Sequence, residues 1–370
     1  MHWHNLFRAH RVWERQDRWT PLDPLGEVYG EVMRVRNFLY DRGWFKTRWL
    51  NAPVISVGNL TTGGTGKTPT VIFLSKLAAE LGFNPGVILR GYGSGRTEES
   101  DEVKLLRRNL PGVPIAAGAD RIAGGRKTLD QSANLIVADD AFQHRRLGRD
   151  LDVLLVDAGF AFGGGKILPA GRLREPVDSL NRADVVIVTR SDQVDEPVLE
   201  QIRRRVRTWA GEIPILLSRH RVTRCVDLAG RTDVSLSGRT VLAFAGIARP
   251  EAFVRTLQSL GAQVAATKTF RDHHQFSARD MKTIREAMDR SGAEVAVCTE
   301  KDLVRIEPEL AKAAGLDPAR LVAVEIEIEM DEGDRKILAE KIHNAGQIAK
   351  IAKDHAVDEA TRVMKRDMDV

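Results

Sequence analysis

The stretch Gly58-Asn59-Leu60-Thr61-Thr62-Gly63-Gly64-Thr65-Gly66-Lys67-Thr68 constrains this chain more than any other. It follows the apolar run Val54-Ile55-Ser56-Val57 and leads into Val71, Leu74, Leu77, Ala78 and Leu81, which recur at helical spacing before Gly82. A buried strand, a glycine-rich turn and a helix make a phosphate cradle. Glycines let backbone N–H groups turn inward, and the helix start adds its dipole. Lys67 then reaches the β- and γ-phosphates of a nucleoside triphosphate, and the Thr68 hydroxyl ligates Mg²⁺. Gly63, Gly64, Thr65, Gly66, Lys67 and Thr68 are the expected nucleotide contacts. The usual spacing has glycine at position 61, where this chain has Thr61, so the tight turn falls to Gly63-Gly64.

The rest of the chain fits the architecture such a loop requires. Short apolar runs without alternation occur at 87–89, 135–138, 153–156, 185–188 and 215–217, separated by helical patterns. That is the signature of a parallel sheet covered by helices on both faces. Polar residues gather just past these strands, where open α/β sheets bind ligands. Asp139 and Asp140 end one of them, at the place where a P-loop protein keeps its Mg²⁺-binding acid. Residues 218–240 are arginine-rich with few apolar runs and read as a connector. Strands are then expected at 241–244, 264–266, 295–297 and 321–324, with helices near 250–260, 278–290 and 335–352. The expected fold is a P-loop NTPase-like α/β domain over 51–217, a connector and hinge at 218–240, and a smaller C-terminal α/β domain over 241–370.

The first fifty residues stand apart. They hold five of the six tryptophans and two of the three tyrosines. Arg8, Arg11, Arg15 and Arg18 share one helical face, beside Trp3, Leu6, Phe7, His10 and Trp13. Leu25, Val28, Val32, Val35 and Leu39 predict a second amphipathic helix, ending at Gly43. A basic face beside an aromatic one suits an anionic membrane surface, and equally an N-terminal helix packed on its own domain. No apolar run reaches the roughly 18 residues of a membrane span, and Met1-His2-Trp3-His4 does not open a signal peptide. Cys225 and Cys298 offer neither metal-ligand spacing nor a disulfide framework, which fits a reducing compartment. A net charge of +5, from 56 basic and 51 acidic residues, does not by itself point to nucleic acid, and no nucleic-acid partner is expected.

Beyond the loop, several segments resemble one family, the tetraacyldisaccharide 4′-kinases (lipid A 4′-kinases) of Gram-negative bacteria. In order they are Arg36–Gly43, Val57-Gly58-Asn59 with the Gly63–Thr68 loop, Arg90-Gly91-Tyr92, Asp139–His144, Leu168–Gly171 with Leu173-Arg174-Glu175, Ala243–Ile247, Asp272-His273-His274 and Thr299–Asp302. The resemblance implies transfer of the γ-phosphate of ATP, with Mg²⁺, to the 4′-hydroxyl of a tetraacyldisaccharide 1-phosphate. The product is lipid IVA, in lipid A biosynthesis. It implies a peripheral enzyme at the cytoplasmic face of the inner membrane, with residues 1–50 as amphipathic membrane-associating helices and no obligatory protein partner. It also adds Glu175 near the metal, against its alternative as a helix-start residue.

The family pattern further places an aspartate base after the second strand and a histidine in the second domain. Asp101 in Ser100-Asp101-Glu102-Val103 is the nearest match, and His273 is its dyad partner. The family's flanking Gly and Pro are both replaced here. Asn59, Arg90, Gln143, His144 and Arg172 are the expected acceptor contacts, with closure of the two domains assembling the site. A P-loop ATPase or GTPase of a regulatory or metal-insertion type, without a lipid acceptor, is the competing reading of the loop alone.

Overall fold

The structure is a computed structural model and describes residues 19–91, 100–247, 250–271 and 274–348. The first helix expected within residues 1–18, Tyr92 and His273 lie outside the described residues. In chain order the elements are α1 (Asp23–Asp41), β1 (Val54–Asn59), α2 (Lys67–Glu80), β2 (Pro85–Leu89), α3 (Asp101–Asn109), β3 (Ile115–Ala117), α4 (Arg121–Leu129), β4 (Leu135–Asp139), β5 (Leu151–Asp157), β6 (Val185–Thr189), α5 (Glu196–Ala210) and β7 (Ile215–Leu217). They continue with β8 (Arg219–Asp227), β9 (Thr240–Ala245), α6 (Pro250–Ser259), β10 (Gln263–Thr269), α7 (Ala278–Ser291), β11 (Val295–Thr299), α8 (Glu300–Leu303), α9 (Pro308–Ala313), β12 (Leu321–Glu329) and a closing helix α10 described over 332–348.

Two compact units result. The first takes residues up to 92, 110–219 and 329 onward; the second takes 93–109 and 220–328. This differs from the sequence division in two ways. Residues 100–109 leave the P-loop domain and join the second unit, because α3 packs on elements more than a hundred residues ahead of it. The closing helix returns to the first unit, where Asp334 accepts from the backbone N–H of Leu217 and Phe83 abuts Gly346.

The first unit is built on a seven-stranded sheet in the order β3-β2-β4-β1-β5-β6-β7. Its pairings are parallel throughout. β1, β2, β4, β5 and β6 are buried along their whole length, which is why they read as apolar runs rather than alternations. Val57 lies opposite Asp139, so the strand that feeds the phosphate loop and the one that ends in acid finish side by side. Helix starts are set locally: Asp120 caps α4 by accepting from the N–H groups of Ile122 and Ala123.

In the second unit a five-stranded sheet runs β10-β9-β11-β12-β8. The first part of the segment expected as a connector, Arg219–Asp227, is therefore strand. β8 is an edge strand whose arginines mask its alternation, and Arg224 pairs there with Glu325 of β12. Ser277 and Asp280 form a reciprocal cap that starts α7.

α1 docks in an unusual sense. Gly26, Gly30 and Asn37 are its buried residues, while Leu25, Val28, Val32, Val35 and Phe38 face outward, each at least half exposed. Polar contacts hold the inner face. The Tyr29 hydroxyl donates to the Arg174 carbonyl at 3.2 Å, Arg36 Nη2 to the Gln143 carbonyl at 2.8 Å, and Arg34 pairs with Asp178 at 3.1 Å.

Candidate active site

The phosphate loop is shaped by two kinds of glycine. Gly66 takes φ 87° as the residue before α2, and Gly63 takes φ 120°, both in a region that side chains avoid. Gly58 answers a different need. A Cβ there would sit 2.5 Å from Phe142 Cβ and 2.9 Å from Phe142 N, so only glycine lets β1 approach the turn after β4. Thr61 has its own reason for replacing the usual glycine. It bridges Leu173, and the next residue, Thr62, donates its N–H to the Arg172 carbonyl at 2.7 Å. The loop is thus stitched to the 172–174 segment.

Lys67, the first residue of α2, stands over the strand ends. Its Nζ donates to Asn59 Oδ1 at 3.2 Å and lies 3.4 Å from Asp140 Oδ1. Arg174 Nη1 grips both oxygens of Asp140, at 2.8 and 2.9 Å. Burial alone would raise the Asp140 carboxyl; Lys67 and Arg174 outweigh it and hold the group below the usual carboxylate range. Asp140 itself sits at φ 49°, in the left-handed region, which turns its side chain off the strand line toward these cations. Asp139, one residue earlier, is buried at the end of β4. Thr68 is half-buried in the first turn of α2. Hydroxyl and carboxylate oxygens are the donors Mg²⁺ prefers, so this set fits the ion. Among the described residues no group of three His, Cys, Asp or Glu is placed to hold a metal ion by itself.

Several expected contacts are committed to building the loop. Gln143 Nε2 donates to the Asn59 carbonyl at 3.0 Å, and Asn59 Nδ2 donates to the Thr61 carbonyl at 2.7 Å. Arg172 stacks over Phe160 with 4.9 Å to the ring centroid. Arg90 is exposed just past β2. His144 is half-buried; burial first, then the positive fields of Arg121, Arg149, Arg146 and Arg36, push its imidazole below its ordinary value. Glu175 is fully buried, 2.6 Å from Arg182 Nη2 and 3.6 Å from Arg36 Nη1. Its charge is answered by two arginines, and one of them comes from α1.

Arg190, at the end of β6, did not stand out in the sequence. It donates to the Gly64 carbonyl at 3.1 Å and pairs with the buried Asp157 at the end of β5. Next to it, Thr189 Oγ1 donates to the Thr65 carbonyl at 3.0 Å. The available signal was position alone: polar residues directly after apolar strands.

The proposed base lies in the second unit. Asp101 opens α3, and its Oδ2 accepts from Arg305 Nε at 2.6 Å. Of the two neighbouring histidines, His274 is occupied: Nε2 is 3.2 Å from Asp280 Oδ2, and its ring stacks on Phe270 at 4.8 Å. His273 lies outside the described residues, so only its chain neighbours are placed.

Comparison with known proteins bears on the whole arrangement. The family model described as tetraacyldisaccharide-1-P 4′-kinase matches residues 18–344. A tetraacyldisaccharide 4′-kinase of Anaeromyxobacter dehalogenans (strain 2CP-C) is 40% identical over 314 residues, covering 80% of this chain and 82% of that protein. One from Syntrophus aciditrophicus is 36% identical over 369 residues, covering 90% and 97%. Among solved structures, LpxK of Aquifex aeolicus in complex with ATP superposes with a TM-score of 0.67 at 27% identity, covering 88% of this chain and 98% of that one.

Proposed function

Because the chain belongs to the tetraacyldisaccharide-1-P 4′-kinase family, we propose that its glycine loop with Lys67 receives the ATP phosphates and that Asp101 with His273 serves the acceptor hydroxyl. The reaction is ATP-dependent phosphorylation of the 4′-hydroxyl of tetraacyldisaccharide 1-phosphate, giving lipid IVA in lipid A biosynthesis. The nucleotide hydrolase without a lipid acceptor is not favoured.

The observation that carries the site assignment is the position of Lys67, held between Asn59 and Asp140 over the ends of β1 and β4. With triphosphate bound, that ammonium and the loop N–H groups neutralise the charge on the transferring phosphoryl group. The 4′-oxygen attacks the γ-phosphorus as the bond to the β,γ-bridging oxygen breaks and its electron pair leaves with ADP. Asp101 accepts the hydroxyl proton, and His273 orients or shares it. When bound, Mg²⁺ would supply further neutralisation of the phosphate charge. Thr68 and Asp139 are the residues to hold it, because Arg174 already occupies both oxygens of Asp140. Glu175, between Arg36 and Arg182, acts in this reading as an anchor for α1 rather than as a ligand. His144, Arg90 and Arg172 remain the side chains proposed to meet the sugar and its phosphate; Gln143 and Asn59 act through the loop they brace.

The lipid acceptor gives the outward face of α1 a purpose. Leu25, Val28, Val32, Val35 and Phe38 form an exposed apolar strip, and Trp19, Trp44 and Trp49, before and after α1 in the chain, are also exposed. No helix among the described residues is long and apolar enough to cross a membrane. Such a strip lies in the headgroup region, which supports a peripheral enzyme on the cytoplasmic face of the inner membrane. Val28→Glu with Val32→Glu is expected to weaken sedimentation with anionic phospholipid vesicles by about tenfold or more. Unchanged sedimentation would remove α1 from the contact.

The assignment of the reaction is tested with γ-labelled ATP and tetraacyldisaccharide 1-phosphate in detergent micelles. Label is expected in the lipid. Mg²⁺-dependent release of free phosphate without labelled lipid would restore the hydrolase reading.

A further inference from the structure

Asp101 and Arg305 lie 204 residues apart in sequence, yet Arg305 Nε reaches Asp101 Oδ2 at 2.6 Å within the second unit. The Arg305 side chain is wholly shielded, while Asp101 keeps 15% of its side-chain surface. Arg305 is itself braced: Nη1 lies 3.4 Å from Asp302 Oδ1. Asp302 is held in turn, accepting from the Gly246 N–H at 3.1 Å and from Thr299 Oγ1 at 2.7 Å. Gly246 is packed closely enough that a Cβ would meet the Arg271 carbonyl at 3.0 Å and His274 Cβ at 3.4 Å. The chain on either side of residues 272–273 therefore rests on the same bracket that fixes Arg305.

We propose that Arg305 is a positioning residue for the phosphotransfer. Its guanidinium pins one oxygen of Asp101, so that the other is presented to the acceptor hydroxyl, and Thr299–Asp302 is the bracket that holds it. The inference rests on the reading of Asp101 as the base. Arginine suits the task because its planar fork serves two carboxylates at once, through Nε and Nη1, where a lysine offers a single point charge. A role in stability alone is a poor account, since a buried ion pair contributes little net stability over an apolar substitute.

The test is a double-mutant cycle in micelles with MgATP and tetraacyldisaccharide 1-phosphate, with folded fraction checked by circular dichroism. Arg305→Gln is expected to lower kcat about 10–100-fold while KM for ATP stays within about twofold. Arg305→Lys, which keeps the charge without the fork, is expected to recover part of that loss. If Arg305 acts through Asp101, then adding Arg305→Gln to Asp101→Asn costs nothing further in kcat. Losses that multiply across the two sites, or equal losses in kcat for the glutamine and lysine variants, would overturn the proposal. If Arg305→Gln does not fold, the lysine variant carries the same cycle. Asp101→Asn at wild-type kcat would sink the underlying base assignment as well. Arg305→Gln at wild-type kcat beside an inactive Asp101→Asn would sink only the positioning role.

Discussion

Each unit sets an aspartate against an arginine, Asp140 just past β4 and Asp101 at the start of α3, and the two pairs differ in kind. In the first, Asp140 faces Arg174 and Lys67, and the cluster stays partly open, with 28% of the Arg174 side chain exposed. In the second, Asp101 faces an Arg305 whose side chain is fully shielded and braced by Asp302. Open ion pairs contribute little to stability and exchange partners readily. In the proposed reading, Lys67 leaves Asp140 and Asn59 for the phosphate when nucleotide binds. A shielded pair resists removal of either partner, because the other is left buried and uncompensated. The first arrangement suits a site that takes up and releases a charged nucleotide; the second suits a group that must keep one orientation.

The contrast can be broken at several points. Lys67→Ala should have the largest effect, a fall in transfer of at least about 10³-fold, since no other described residue replaces its ammonium over the loop. ATP binding measured alongside should weaken as well. Asp101→Asn should cost about 10²–10³-fold in kcat with little change in KM for ATP; a loss confined to KM would mean that the two units do not divide the work as described. Arg174→Met should be milder, about tenfold in transfer.

Arg174→Met also sharpens the account through pH. Asp140 is held below its unfolded value, so its cluster stabilises the fold above about pH 4 and loses that contribution as pH falls through the depressed folded value. The melting temperature of Arg174→Met should therefore sit about 3 °C below wild type at pH 7, a gap that closes on acidification. A gap independent of pH would show that Arg174 stabilises by packing alone.

The same contrast decides what sequence reveals. The phosphate loop, Asp139 and Asp140 were legible because each follows directly from a buried parallel strand, whose continuous apolar run marks its end. The resemblance to the kinase family rested on such segments. Asp101 is proposed only as a family match, because its environment is made by Arg305, 204 residues downstream, and no local pattern predicts that meeting. β8 was read as connector because an edge strand tolerates arginines on its open face, which erases the alternation a reader looks for. β3, at one edge of the first unit's sheet, is Ile115-Ala116-Ala117, whose two alanines do not mark it as an apolar run. For α1, the three-four spacing gave the helix but not which face turns inward; that choice was made by Gly26, Gly30, Asn37 and Arg36, which reaches both Gln143 and Glu175.

The central claim is that ATP is held by the first unit without help from Asp101, which acts only in transfer. A single-turnover experiment on Asp101→Asn, loaded with γ-labelled ATP and then mixed with tetraacyldisaccharide 1-phosphate, tests it most directly. The account predicts wild-type occupancy by ATP and a transfer rate lower by about 10²-fold or more. Transfer at the wild-type rate, or failure of the variant to hold ATP, would contradict it.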